Sequence, residues 1–146
     1  NCDGNLLTSL NGGPTQVGGT YSCCGNRLTS LEGISTYTGR DFLGADNKLE
    51  SLKGIHKQIE FIGGFADFAR NPITSHVLGL LRIEGLKSVS LSNRKVEVII
   101  NRCLGEKIDI FTCQEKLIEA GFEIMSFELL ELAANYYYDY QIWVCK

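Results

Sequence analysis

The chain has 146 residues, of which 44% are hydrophobic and 21% charged, with a formal net charge of −3; this is enough apolar material for a core and unlike a disordered tail. The mildly acidic balance lacks the cationic footprint that nucleic acid selects, and Lys53, Lys57, Arg70, Arg94 and Lys95 are scattered rather than clustered. No apolar run approaches the ~20 residues of a membrane-spanning helix, and the opening Asn1-Cys2-Asp3-Gly4 is too polar for a secretory leader.

The first two thirds of the chain repeat. Asn5-Leu6-Leu7-Thr8-Ser9-Leu10 returns as Asn26-Arg27-Leu28-Thr29-Ser30-Leu31 and as Asn47-Lys48-Leu49-Glu50-Ser51-Leu52, a step of 21 residues each time. Gly12, Gly33 and Gly54 keep the same step, and a degenerate copy, Asn71-Pro72-Ile73-Thr74-Ser75-His76, follows after 24. Ahead of the Asn stand Tyr21-x-Cys23 and Phe42-x-Gly44, with Cys2 as the remnant in the first copy. Such alternation turns one side of a short strand into a core. The Asn falls where the chain leaves that strand. A buried amide there is expected to bond backbone groups of neighbouring repeats that the bend would otherwise orphan. Leu81-x-Ile83-x-x-Leu86-x-x-Val89 reads as a last repeat without the Asn.

These motifs match the leucine-rich-repeat form over roughly residues 1–90. Leu28-Thr29-Ser30-Leu31-Glu32-Gly33, followed by Thr38-Gly39-Arg40-Asp41-Phe42, resembles short leucine-rich repeats in proteins of large tailed bacteriophages and related environmental viruses. Repeats of bacterial effectors look similar but usually carry Pro where Gly stands here. The resemblance implies an α/β repeat fold: a leucine-rich-repeat solenoid of about four to five coils over residues 1–91, closed by a helical C-terminal cap over residues 92–146.

Beyond Ser92 the apolar period becomes helical. Val96, Ile99, Ile100, Cys103 and Leu104 share one face, and Gly105 is expected to stop that helix. Thr112-Cys113-Gln114-Glu115 reads as a capping box, with Phe111 as its staple residue, opening a second helix that Gly121 ends. A third helix is expected over residues 127–135. The aromatic stretch 136–143 reads as a tail packed on the body or as an adhesive patch.

Catalytic chemistry is sparse. Six cysteines invite a disulfide framework, yet Cys2 and Cys23 share a repeat position held later by Gly44 and Phe68, as small buried apolar residues would. Reduced, intracellular cysteine is expected, with a bond involving Cys24 or Cys145 left open. Cys23-Cys24 lacks metal-ligand spacing, and His56 and His76 have no nearby Cys. No phosphate-binding loop occurs, and Cys103 with Asp109 is thin ground for a nucleophile. The expectation is therefore no enzyme, no cofactor and no metal.

Binding is expected instead, on the outward side of the strands. Register places Thr20, Ser22 and Cys24 there, then Asp41, Leu43 and Ala45, then Phe65, Asp67 and Ala69, then Leu80, Arg82 and Glu84. The partner-binding set is Thr20, Ser22, Asp41, Leu43, Phe65, Asp67, Arg82 and Glu84, a mixed surface better suited to protein than to phosphate. The chain thus reads as a phage or viral leucine-rich-repeat module acting by protein–protein interaction, inhibition of a host protein being one form of it. The alternative is a structural component of a virion or of a larger repeat polypeptide without a soluble partner; a catalytic effector ranks third. The expected location is host cytoplasm or virion, not membrane-embedded. Partner identity and oligomeric state stay open.

Overall fold

A computed structural model describes residues 1–122 and Leu132. The third helix expected over residues 127–135, the aromatic stretch 136–143 and Cys145 lie outside the described residues. In chain order the elements are β1 (Gln16–Val17), β2 (Tyr21–Ser22), β3 (Tyr37–Thr38), β4 (Phe42–Leu43), α1 (Ile55–Gln58), β5 (Phe61–Ile62), β6 (Phe65–Asp67), β7 (Ser88–Ser90), α2 (Arg94–Glu106) and α3 (Ile110–Glu119), with a 3₁₀ turn at Leu78–Arg82 between β6 and β7.

The strands form two parallel sheets, one of three strands in the order β1-β3-β5 and one of four in the order β2-β4-β6-β7. Tyr21 faces Phe42, Phe42 faces Ala66 and Ala66 faces Val89, so the step along the chain is 21, then 24, then 23 residues. The 24-residue step contains α1, an extra helical turn entered through the left-handed Gly54 at φ 72°. Cys2 N–H donates to the Ser22 carbonyl and Gly4 N–H to that of Cys24, both at 2.9 Å, which puts Cys2 in register with Cys23. Along the four-stranded sheet Tyr21, Cys23, Phe42, Ala66, Phe68 and Val89 point into the core. Tyr21, Phe42 and Phe68 meet ring to ring, with centroids 5.8 and 5.5 Å apart.

Asn26, Asn47 and Asn71 behave as their spacing implies, whereas Asn5 is exposed. Asn47 is buried; its Oδ1 accepts from Leu28 N–H at 3.1 Å, and its Nδ2 donates to the carbonyls of Cys23, Gly44 and Ala45 at 3.0–3.2 Å. Asn26 holds Leu7 N–H and the Cys2 carbonyl, and Asn71 holds Leu49 N–H and the Gly44 carbonyl, each at 3.0–3.1 Å. Each amide therefore bridges two repeats and satisfies backbone groups that an irregular bend cannot pair with itself.

The expected leucine-rich-repeat solenoid of four to five coils with a helical cap is corrected by this arrangement. The described residues form an α/β fold of two parallel sheets and three α-helices. Reading one strand per repeat missed the whole three-stranded sheet. Its strands begin where the sequence shows only residues leading into glycines, and the backbones approach closely at those glycines. A Cβ on Gly39 would fall on the Gly18 carbonyl, and one on Gly63 on the Gly39 carbonyl. The expected last repeat, Leu81 to Val89, is also not a repeat: Leu81 lies in the 3₁₀ turn, and the fourth strand is Ser88–Ser90.

α2 begins at its N-cap Asn93, whose side chain accepts from Lys95 N–H and Val96 N–H. It runs through Gly105 and ends at the left-handed Lys107, φ 53°, so Gly105 is not the expected stop. α3 is capped by Asp109, which accepts from Thr112 N–H at 2.9 Å and from Thr112 Oγ1 at 2.8 Å; the expected capping box at Thr112 gives way to this earlier start. The Asp carboxylate is the stronger cap and lies three residues upstream of Thr112, and Thr112 becomes its donor. Gly121, φ 83°, does terminate α3, with Phe122 N–H bonded to the Leu117 carbonyl at 3.0 Å. One continuous core links the buried faces of both sheets to Val96, Ile100, Cys103, Ile110, Phe111, Cys113, Leu117 and Leu132. Among the described residues no helix is long and apolar enough to cross a membrane.

Candidate functional site: the outer face of the four-stranded sheet

Register assembles the outer face in rows. Because Phe42 faces Ala66 and Tyr21 faces Phe42, Thr20, Asp41, Phe65 and Ser88 form one row. Ser22, Leu43, Asp67 and Ser90 form the next. On β4 and β6 the result is a checkerboard: Asp41 beside Phe65, and Leu43 beside Asp67. All four side chains are half-buried.

Backbone bonds fix the two carboxylates. Asp41 Oδ1 accepts from Phe65 N–H at 2.8 Å, across the strand boundary, and Asp67 Oδ1 accepts from Ala69 N–H at 2.9 Å. At the margin, exposed Arg70 and Asp46 pair at 2.7 Å, and the hydrogen bond from Arg70 holds the Asp46 carboxyl below its ordinary range.

The structure brings together Thr20, Asp41, Leu43, Phe65 and Asp67 of the expected set. Ser22 lies in register but is buried, because its hydroxyl donates to Asp3 Oδ1 at 2.7 Å; the N-terminal residues cover it. Arg82 and Glu84 do not belong to this face. Arg82 closes the 3₁₀ turn and lines a cavity of about 510 Å³ with Leu81, Leu86, Cys103, Leu104 and Lys107. Glu84 is exposed and bridges to Phe61, beside the other sheet. Their place on the fourth strand is taken by Ser88 and Ser90, because the 3₁₀ turn delays the strand.

Sequence reading also missed an aromatic pair on the three-stranded sheet. Tyr37 and Phe61 face each other in register and stack with centroids 4.8 Å apart and an interplanar angle of 9°. A signal existed: Gln16, Tyr37 and Phe61 each stand two residues before a glycine of the Gly18, Gly39, Gly63 set.

Among the described residues no disulfide joins Cys2, Cys23, Cys24, Cys103 and Cys113 to one another. Burial pushes the Cys23 thiol up to about 12, and raises Cys2. Among the described residues no group of three or more His, Cys, Asp and Glu side chains is placed to hold a metal ion. Comparison of the chain with protein-family models, with curated proteins and with solved structures finds no match.

Proposed function

We propose that the protein is a binding module that takes a protein partner on the outer face of its four-stranded sheet. The observation that supports this reading is the checkerboard of Asp41, Phe65, Leu43 and Asp67, held rigid by the bonds to Phe65 N–H and Ala69 N–H. Acidic and apolar groups alternate across the strands at about 4.8 Å and along them at about 6.6 Å. A Lys or Arg side chain matches that spacing, since its stem lies on apolar surface while its head reaches a carboxylate. The net charge of −3 favours such a partner over an acidic one. A standard interface takes about 800 Å² from each side, so Thr20, Ser88 and Ser90 fall within its margin.

The test is affinity capture by the native chain and by an Asp41→Asn, Asp67→Asn double variant. Asn keeps the acceptor that each backbone N–H needs and removes only the charge. A protein retained by the native chain and held at least about tenfold more weakly by the variant, with the loss shrinking at high salt, is the expected result. Retention of the same proteins by both chains would overturn the reading.

A further inference from the structure

The two ends of the paired sheets differ. At the β7 end, Asn101 of α2 occupies both backbone groups of Val89. The β1 end carries the parts of a contact between repeats. Gly39 N–H and Arg40 N–H donate to the carbonyls of Val17 and Gly19 at 2.8 and 3.0 Å, one repeat back. Their equivalents one step earlier are Gly18 and Gly19, and among the described residues no carbonyl takes either N–H. Asn26, Asn47 and Asn71 each reach back to a carbonyl and an N–H of the preceding repeat. Asn5 holds the same position in the pattern, and its exposed side-chain amide bonds none of the described residues.

Gly18 points the same way. A Cβ on Gly39 or Gly63 would fall on the backbone of the repeat before it, at Gly18 and Gly39 respectively. A Cβ on Gly18 would meet nothing within 4 Å, and Gly18 is not among the left-handed glycines. Neither conformation nor contact among the described residues calls for glycine there, whereas a backbone close against the open side would. Burial follows the same step: Cys23 and Leu28 are fully buried, and their equivalents Cys2 and Leu7 are only half-buried.

We propose that this end docks one further repeat of the same pattern, joined ahead of Asn1, which adds one parallel strand to each sheet. Asn5 Nδ2 donates to a carbonyl of that repeat and Asn5 Oδ1 accepts from one of its N–H groups, as Asn26 does with Cys2 and Leu7. Gly18 admits its backbone, and Gly18 N–H and Gly19 N–H pair with its carbonyls. A second copy of the chain offers no matching edge, because α2 covers β7. A contact one strand wide is also small beside the about 800 Å² that each partner of a standard interface gives. Covalent continuity supplies the effective concentration that so small a contact needs.

The experiment compares the native chain with a chain carrying a duplicate of residues 22–42 directly ahead of Asn1, which keeps the 21-residue step. Amide hydrogen exchange is read by NMR at residues 18 and 19. The expected result is exchange at least about tenfold slower at both in the extended chain, with the gain lost on Asn5→Ala or Gly18→Ala. In the native chain the same two substitutions should leave the amides of β4 and β6 protected, which shows that the fold survives them. Equal exchange at Gly18 and Gly19 in the native and extended chains would overturn the proposal, and so would equal slowing by a scrambled duplicate. Slowing in the native chain as its concentration rises would overturn it too, because a second copy would then cover this end. None of these readings involves Asp41 or Asp67, so this proposal and the binding reading fail separately.

Discussion

Asn101 holds both backbone groups of Val89: its Oδ1 accepts from Val89 N–H at 2.7 Å, and its Nδ2 donates to the Val89 carbonyl at 2.9 Å. Val89 lies in β7, the last strand of the four-stranded sheet, and Asn101 lies on α2. One amide side chain thus stands where the next strand would pair. Glu97, a turn earlier, takes Leu91 N–H at 3.0 Å in the same way. The helix blunts an edge that would otherwise template association.

Replacing Asn101 by Leu keeps the branched shape and removes both bonds. A donor and an acceptor on buried Val89 then lack partners, at a cost of about 2–3 kcal/mol. Urea unfolding of Asn101→Leu measures the loss, and sedimentation at rising concentration should show more self-association than in the native chain. A variant of native stability that stays monodisperse would refute the edge-closing role.

The asparagines separate by burial although the sequence repeats them alike. Asn47 makes its hydrogen bonds out of water, while Asn5 is exposed. Asn47→Ala should cost about 2–4 kcal/mol, because several backbone groups lose their partner at once. Asn5→Ala should stay within about 0.5 kcal/mol, the ordinary range for surface substitutions. Equal effects in chemical denaturation would mean that the amide ladder is not what joins the repeats.

Much of the four-stranded sheet was legible because two independent signals agree there. Tyr21, Phe42 and Phe68 alternate inward, and the Asn that follows each strand exit is spaced at the same step. The three-stranded sheet was not legible, because its two-residue strands run into glycines and are not followed by the inward residue and Asn that mark the strands of the other sheet. Its register depends on glycine contacts between repeats, which composition does not display. The candidate site divides the same way. Asp41, Leu43, Phe65 and Asp67 fell in place from register, whereas Arg82 and Glu84 failed because a 3₁₀ turn in an apolar run, Leu78–Arg82, has no period that distinguishes it from a buried strand.

Glycines give a test of the close approach. A Cβ at Gly39 meets the Gly18 carbonyl, a backbone atom that cannot rotate away, so Gly39→Ala should destabilise by about 1–3 kcal/mol. Gly105 lies within α2 with no heavy atom within 4 Å of an added Cβ, so Gly105→Ala should stabilise by about 0.5 kcal/mol through helix propensity. Thermal melts of the two variants should therefore shift in opposite directions. A shared direction would contradict either the sheet contact or the helix assignment.

Glu97 makes the α2 contact sensitive to acid. Leu91 N–H, bonded to its carboxylate, is the main cause that lowers its pKa; Ser90 and Arg94 help, and burial opposes them. Because the folded value lies below the unfolded one, the contribution is complete above the ordinary Glu range and disappears as pH falls through the folded value. Protonation also removes the charge that strengthens the bond from Leu91 N–H at the sheet edge. Stability of the native chain should thus fall between about pH 5 and pH 3, more steeply than that of Glu97→Gln, which keeps a carbonyl acceptor and cannot titrate. Parallel pH profiles for the two chains, measured by denaturant midpoint, would show that Glu97 does not link the strand to the helix through its charge.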